Sequence, residues 1–197
     1  TGAAVENPSA SEAARSEAQG AAWQPRPVAF NPAAMPDRTV IRRESPDQPE
    51  VTALLAELDA YLGSLYAPEA NHILDLRDLL QPEVAFFVAR ENLPEGRAVG
   101  TAAYRRMNGE PATGGQRYGE IKRMYVAPAR RGERLGARLV AALEQGLREE
   151  GFGLALLETG SEQAEAVRLY ERAGYRPRAA FGGYPDNGLS VFYEKQL

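Results

Sequence analysis

From Val126 to Leu139 the sequence reads Val-Ala-Pro-Ala-Arg-Arg-Gly-Glu-Arg-Leu-Gly-Ala-Arg-Leu, a concentration of residue types that hold phosphate. A strand-like run ends at Val126, and an apolar stripe of helical period starts at Leu135 and continues through Leu139, Val140, Leu143 and Leu147. The spacing predicts a helix from about Gly132 to Glu150, with Gly132 and Gly136 in its first turn. The first N–H groups of a helix have no internal partners, and with the helix dipole they form an anion site. Glycine lets a bulky pyrophosphate come close to the backbone, and Arg130, Arg131 and Arg134 add positive charge beside it. The residues point to a phosphate-bearing ligand without saying which one, and an ordinary strand–glycine–helix turn would look similar. No Gly-Lys-Ser/Thr follows, so this is not a P-loop. The G-x-G-x-x-G spacing of a dinucleotide fold is also missing.

Thiol and imidazole side chains are nearly absent. The chain has no cysteine and a single histidine, His72. This excludes a disulfide framework, a cysteine nucleophile and thiolate or multi-histidine metal sites, so no metal is expected. No Gly-x-Ser-x-Gly elbow accompanies His72. With 27 acidic against 23 basic residues, a net charge of −4 and a pI near 5.3, there is no electrostatic footprint for duplex nucleic acid or an anionic membrane. No apolar run reaches bilayer length, and residues 1–36 lack the apolar centre of a signal peptide. A cytoplasmic protein is expected.

The elements that must position these residues can be read from period and punctuation. Residues 1–37, rich in Ala, Pro, Ser and Glu, read as a flexible arm, with Trp23 and Phe30 as its only large anchors. One domain is expected over 38–197. It opens with a short β-like run (39–43) and a helix after Ser45-Pro-Asp-Gln-Pro-Glu, carried by Val51, Leu54, Leu55, Leu58, Leu62 and Leu65. A second short helix is allowed in the polar stretch before 80. Strands at 84–91 and 97–107 form a hairpin, and 117–126 is a further strand. After the 132–150 helix come a buried strand (154–159), a helix (162–173) and closing strands at 178–181 and 189–195. The fold class is α/β.

With these elements in place, the sequence resembles the GNAT acetyltransferases over roughly residues 38–197. Their acyl-carrier motif, Arg/Gln-x-x-Gly-x-Gly/Ala after a strand ending in Val-x-Pro, is matched by Arg131-Gly132-Glu133-Arg134-Leu135-Gly136. Arg134 stands where the family usually has its first glycine. A second landmark, Asn-x-x-Ala-x-x-x-Tyr before Gly-Phe/Tyr, is matched by Gln163 through Ala166 and Tyr170 to Gly174-Tyr175, with Gln163 for the usual Asn. Gly119 to Val126, Leu157 to Gly160 and the closing Tyr184 to Lys195 look like a bacterial subgroup acting on small substrates. The resemblance implies a mostly antiparallel mixed sheet that splays at two parallel strands (118–126 and 154–159), with helices on both faces.

The resemblance also implies acetyl-CoA as cosubstrate and transfer of its acetyl group to a primary amine of a small molecule or amino acid. In this reading the backbone of Met124, Tyr125 and Val126 holds the acetyl and pantetheine end. That of Gly132, Glu133, Arg134, Leu135, Gly136 and Ala137 holds the pyrophosphate, with Arg131 and Gln163 alongside. Tyr170 protonates the leaving thiolate, or else packs its helix on the sheet. Glu120 and Glu158 compete as general base, or pair with Lys122 or Arg123. Tyr66, Glu69, Asn71, His72 and Tyr184 are candidates to line the acceptor pocket, although a solvated His72 and an ordinary turn at Tyr184 fit the residues too. A CoA-binding sensor without turnover and a protein lysine or N-terminal acetyltransferase would carry the same motifs, and a homodimer is compatible with all three readings.

Overall fold

The computed structural model describes residues 1, 39–67, 72–91 and 96–197. The expected arm (1–37) therefore lies outside the described residues, apart from Thr1. So do Glu69 and Asn71.

The described elements are β1 (Val40–Arg43), α1 (Pro49–Leu65), α2 (Leu76–Leu79), β2 (Val84–Arg90), β3 (Ala98–Met107), β4 (Tyr118–Val126), α3 (Leu135–Glu149), β5 (Leu154–Gly160), α4 (Ala164–Arg172), β6 (Arg176–Arg178) and β7 (Ser190–Gln196). The strands form one seven-stranded sheet in the order β1-β2-β3-β4-β5-β7-β6. Every neighbouring pair is antiparallel except β4 and β5, which run parallel.

Successive side chains on a strand face opposite sides, and helices cover both sides of the sheet. The stripe Leu135, Leu139, Val140, Leu143 and Leu147 of α3 is buried with Ile121, Ala155 and Leu157 on one face. On the other, Val51, Leu54, Leu55 and Leu58 of α1 pack on Phe86, Val88 and Tyr125. A third cluster, Tyr118, Leu154, Leu156, Phe181 and Phe192, fills that side under the C-terminal loop. Among the described residues, no helix is long and apolar enough to cross a membrane.

Two expectations are corrected. The β-strand expected at 178–181 lies at Arg176–Arg178 instead, because Phe181 leaves the sheet to fill the third cluster. The α3 helix begins at Leu135 and not at Gly132. Both Gly132 (φ +83°) and Arg134 (φ +60°) are left-handed, which ends any helical run before Leu135.

Candidate functional site

The parallel pair β4–β5 is joined only at Gly119–Ala155, Glu120–Leu156 and Ile121–Leu157. Beyond that rung the strands separate, and residues 122–126 and 158–160 form the two arms of a fork. The cause is a bulge in β4. Thr101 lies opposite Tyr125 and Ala103 opposite Lys122, so three steps on β4 face two on β3. Arg123 makes this possible by adopting φ +56°. Such a bulge bends its strand and raises the local twist, which carries the end of β4 away from β5. Arg123 is braced twice, by the Thr101 hydroxyl donating to its carbonyl oxygen at 3.0 Å and by its own guanidinium donating to the Asp59 carboxylate on α1.

A cleft of about 960 Å³ opens at the fork, lined among others by Met124, Val126, Gly136, Glu158, Gln163 and Tyr170. Ala127 donates to the Val99 carbonyl at 2.9 Å, which fixes the phase of the β3–β4 ladder. Alternation then turns the Tyr125 N–H toward β3 and those of Met124 and Val126 toward the open side. Of the three backbone donors expected here, two face the fork, while Tyr125 sends its side chain toward α1 and donates to Glu57 at 2.9 Å.

At the other end of the cleft, the first α3 N–H with a backbone partner is that of Arg138, bonded to the Arg134 carbonyl at 3.1 Å. The N–H groups of residues 132–137 make no backbone hydrogen bond among the described residues and lie around the helix start, a ready anion cradle. Arg134 is the N-cap with a left-handed backbone and an exposed side chain. This explains why glycine suits the position and why an arginine is accepted at a modest conformational cost. A Cβ at Gly136 would lie 3.2 Å from Leu169 on α4, so glycine there also admits a close approach of the two helices. The arginine cluster is divided. Arg130 is held by Glu91 and by Glu133, so its charge is spent locally. Arg131 remains at the surface, donating to the Val126 carbonyl and lying over the Tyr125 ring.

Tyr170 is 5% exposed, packs edge-on to Tyr175 and borders the cleft. Its hydroxyl makes no hydrogen bond among the described residues. Burial, then the nearby Glu158 charge, pushes its pKa well above the ordinary tyrosine value, so it keeps its proton at neutral pH. Glu158 borders the cleft and accepts a hydrogen bond from Ser190 at 2.5 Å. Glu120 is 5% exposed and is not among the residues that line the cleft. It accepts from the Tyr184 hydroxyl and stands 3.6 Å from the Lys122 ammonium, which donates to the same hydroxyl at 2.7 Å. Among the described residues, Glu120 pairs with Lys122, while Arg123 is taken by Asp59.

The acceptor-side candidates come together in part. The Tyr184 ring meets His72 edge-on at 4.8 Å, and His72 borders the cleft. Tyr66, the C-cap of α1, reaches the opposite wall, where its hydroxyl accepts from the Glu162 N–H at 2.9 Å. Its ring fills the space beside Gly160, where a Cβ would lie 2.1 Å from the hydroxyl. Gln163 caps α4 without a side-chain capping bond. Sequence reasoning missed Thr101, Asp59 and Ser190 as partners, since none sits in a motif and each acts across the chain.

The chain is similar to known proteins in sequence and in fold. The profile of the acetyltransferase (GNAT) family matches residues 50–175. An IAA acetyltransferase from Azospirillum brasilense is 45% identical over 163 residues, covering 83% of this chain and all of that one. A Klebsiella pneumoniae crystal structure, provisionally assigned as an acyl-CoA N-acyltransferase, superposes with a TM-score of 0.65 at 37% identity, covering 81% of this chain and 98% of the other. A GNAT acetyltransferase from Elizabethkingia anophelis, solved with acetyl-CoA bound, shares the fold at 15% identity, with a TM-score of 0.55 and coverage of 82% and 100%. The forked sheet, the glycine-bearing turn into α3 and these matches together make the chain a member of the GNAT family of N-acetyltransferases.

Proposed function

We propose that this protein transfers the acetyl group of acetyl-CoA to the primary amine of a small molecule or amino acid. The family uses acetyl-CoA, and the residues present fit it. An unpartnered row of N–H groups at 132–137 suits a pyrophosphate, and the arms of the fork leave unpaired strand edge for an extended chain that carries amides. The observation that carries the reading is that Tyr170 and Glu158 border one cleft, where burial and then the Glu158 charge keep the Tyr170 phenol protonated.

Acetyl-CoA supplies the activated acyl group and a thiolate leaving group. The N–H groups of Met124 and Val126 face the open side of the fork, where they polarise the acyl carbonyl and stabilise the oxyanion of the tetrahedral intermediate. Glu158 takes a proton from the acceptor's ammonium, directly or through one water, and the neutral amine attacks the acyl carbon. Tyr170 gives its proton to the departing sulfur. Glu120, tied to Tyr184 and Lys122, holds the acceptor wall in place. Arg134 and Gln163 leave this machinery intact, since Arg134 contributes its backbone and Gln163 remains at the cleft edge. We assign residues 1–37 to an arm outside the catalytic domain.

The test is thiol release from acetyl-CoA over a panel of amines, beside a thermal melt. At acetyl-CoA 100 times above Kd, about 2.7 kcal/mol of stabilisation is expected. No melt shift and no calorimetric heat at saturation would remove the central claim. Stabilisation without release from any amine would mark a CoA sensor.

A further inference from the structure

The two arms of the fork carry opposite charges at matching positions. Gly119, Glu120 and Ile121 pair with Ala155, Leu156 and Leu157, so the first unpaired rung is Lys122 opposite Glu158. Both belong to one face of the sheet. Lys122 lies two residues after Glu120, Glu158 lies two after Leu156, and Leu156 packs with Tyr118 and Leu154 in the cluster under the C-terminal loop. Both also line the cleft. On evenly spaced strands about 4.8 Å apart, a Lys–Glu rung would close into a cross-strand ion pair. Here the fork holds the two apart, and no ion pair joins them among the described residues.

The Lys122 side chain is 8% exposed. Its ammonium has three donors, of which one goes to Tyr184, and Glu120 stands beyond hydrogen-bonding reach at 3.6 Å. The ammonium is paired with Glu120 but hydrogen-bonds only to Tyr184, so it keeps donors that an anionic group arriving from the cleft would fill. Glu158, across the gap, has Ser190 as its partner and room for a cation. The wall that α1 adds to the cleft is apolar and aromatic, made by Leu58, Tyr61 and Leu62.

We infer that the acceptor is a zwitterion, an amino acid with an apolar side chain, whose carboxylate is held by Lys122 while its amine faces Glu158. Lys122 is then the residue that sets acceptor specificity. The role given to Glu158 rests on the acetyl-transfer reading, whereas the role of Lys122 does not.

The experiment compares L-phenylalanine with 2-phenylethylamine, which has the same ring and amine but no acid, and with L-phenylalanine methyl ester, which keeps the shape without the charge. In the wild type, kcat/KM is expected to favour phenylalanine over both by roughly ten- to hundred-fold, the range of a hydrogen bond to a charged group. In Lys122→Met that ratio should collapse toward one, and in Lys122→Arg, which keeps the charge, most of it should remain. A wild-type ratio at or below one overturns the inference, as does a preference that survives Lys122→Met. Calorimetric titration of the same ligands into the CoA-saturated protein reads the preference without turnover. A Kd ratio that favours phenylalanine and disappears in Lys122→Met supports Lys122 even if no acetyl moves, in which case the catalytic reading fails alone.

Discussion

The Thr101 hydroxyl donates to the carbonyl oxygen of Arg123 inside the sheet, at 3.0 Å, and Arg123 is the left-handed residue that forks the two central strands. A left-handed arginine costs about 1–2 kcal/mol, and this bond helps to offset it. Thr101→Val keeps the shape and removes the donor, leaving a buried carbonyl unsatisfied. A loss of about 1–3 kcal/mol in urea unfolding is expected, with kcat falling roughly tenfold as the Met124 and Val126 donors lose their aim. A kcat equal to wild type would show that the bulge holds its shape without Thr101.

Replacing Tyr170 with phenylalanine keeps the ring against Tyr175 and deletes only the hydroxyl. If that hydroxyl protonates the thiolate, kcat falls by roughly 10²–10⁴ while acetyl-CoA affinity stays nearly constant. Turnover at the wild-type rate would reduce Tyr170 to a packing residue.

The two carboxylates separate by their surroundings. Glu158→Gln should cost roughly 10²–10⁴ in kcat/KM at neutral pH, with partial recovery at high pH as free amine accumulates. Glu120→Gln should act chiefly on acceptor KM, because it loosens Tyr184 and Lys122 instead of removing a proton acceptor at the cleft. The reverse pattern in a pH–rate comparison would return the base to Glu120.

At Gly160 a Cβ would lie 2.1 Å from the Tyr66 hydroxyl and 2.3 Å from its ring. Gly160→Ala should therefore expel Tyr66, break its bond with the Glu162 N–H and free the end of α1. The expected cost is about 1–3 kcal/mol of stability, together with weaker binding of both substrates. Overlap of the variant's melting curve with that of the wild type would show that Tyr66 is not tethered there.

Acid stability should report on the far end of α3. Hydrogen bonds from Arg106, then from Arg43 and Tyr104, outweigh burial and hold the Glu150 carboxyl down at about 2, against an ordinary 4.5. The unfolded chain takes up this proton first as pH falls. The stabilisation is therefore complete above about pH 4.5 and is lost between there and pH 2. Glu150→Gln should flatten part of that slope in denaturant titrations at pH 7, 4 and 3. A remainder should persist, because Glu44 is also held at about 2, where burial, which acts to raise it, is overcome by hydrogen bonds from Arg90, Gln48 and Arg42 together. An unchanged slope in the variant would exclude Glu150 as a contributor.

Much of this protein was written locally. The period of α1 and α3, the β2–β3 hairpin and the strand–glycine–helix turn depend on residues close in sequence, so apolar spacing and turn residues sufficed to read them. The glycine-bearing turn into α3 was legible for the same reason, since the free N–H groups of a helix start belong to consecutive residues. The start of α3 was misplaced by three residues because glycine spacing does not reveal backbone handedness, and an arginine at φ +60° carries no composition signal. The last strands slipped because Phe181 was claimed by a core that only the folded chain contains.

The chemical end of the cleft was decided in three dimensions. Local pattern and motif spacing were enough for the fold class, the family and the candidates Tyr170, Glu120 and Glu158. They do not reveal that Glu158 borders the cleft while Glu120 is withdrawn behind Tyr184. Nor do they show that Arg123 turns left-handed and forks the sheet, or that Lys122 faces Glu158 across the gap. Each of those facts joins residues tens of positions apart, and their contacts exist only after strand register and the bulge have fixed which side chains share a face.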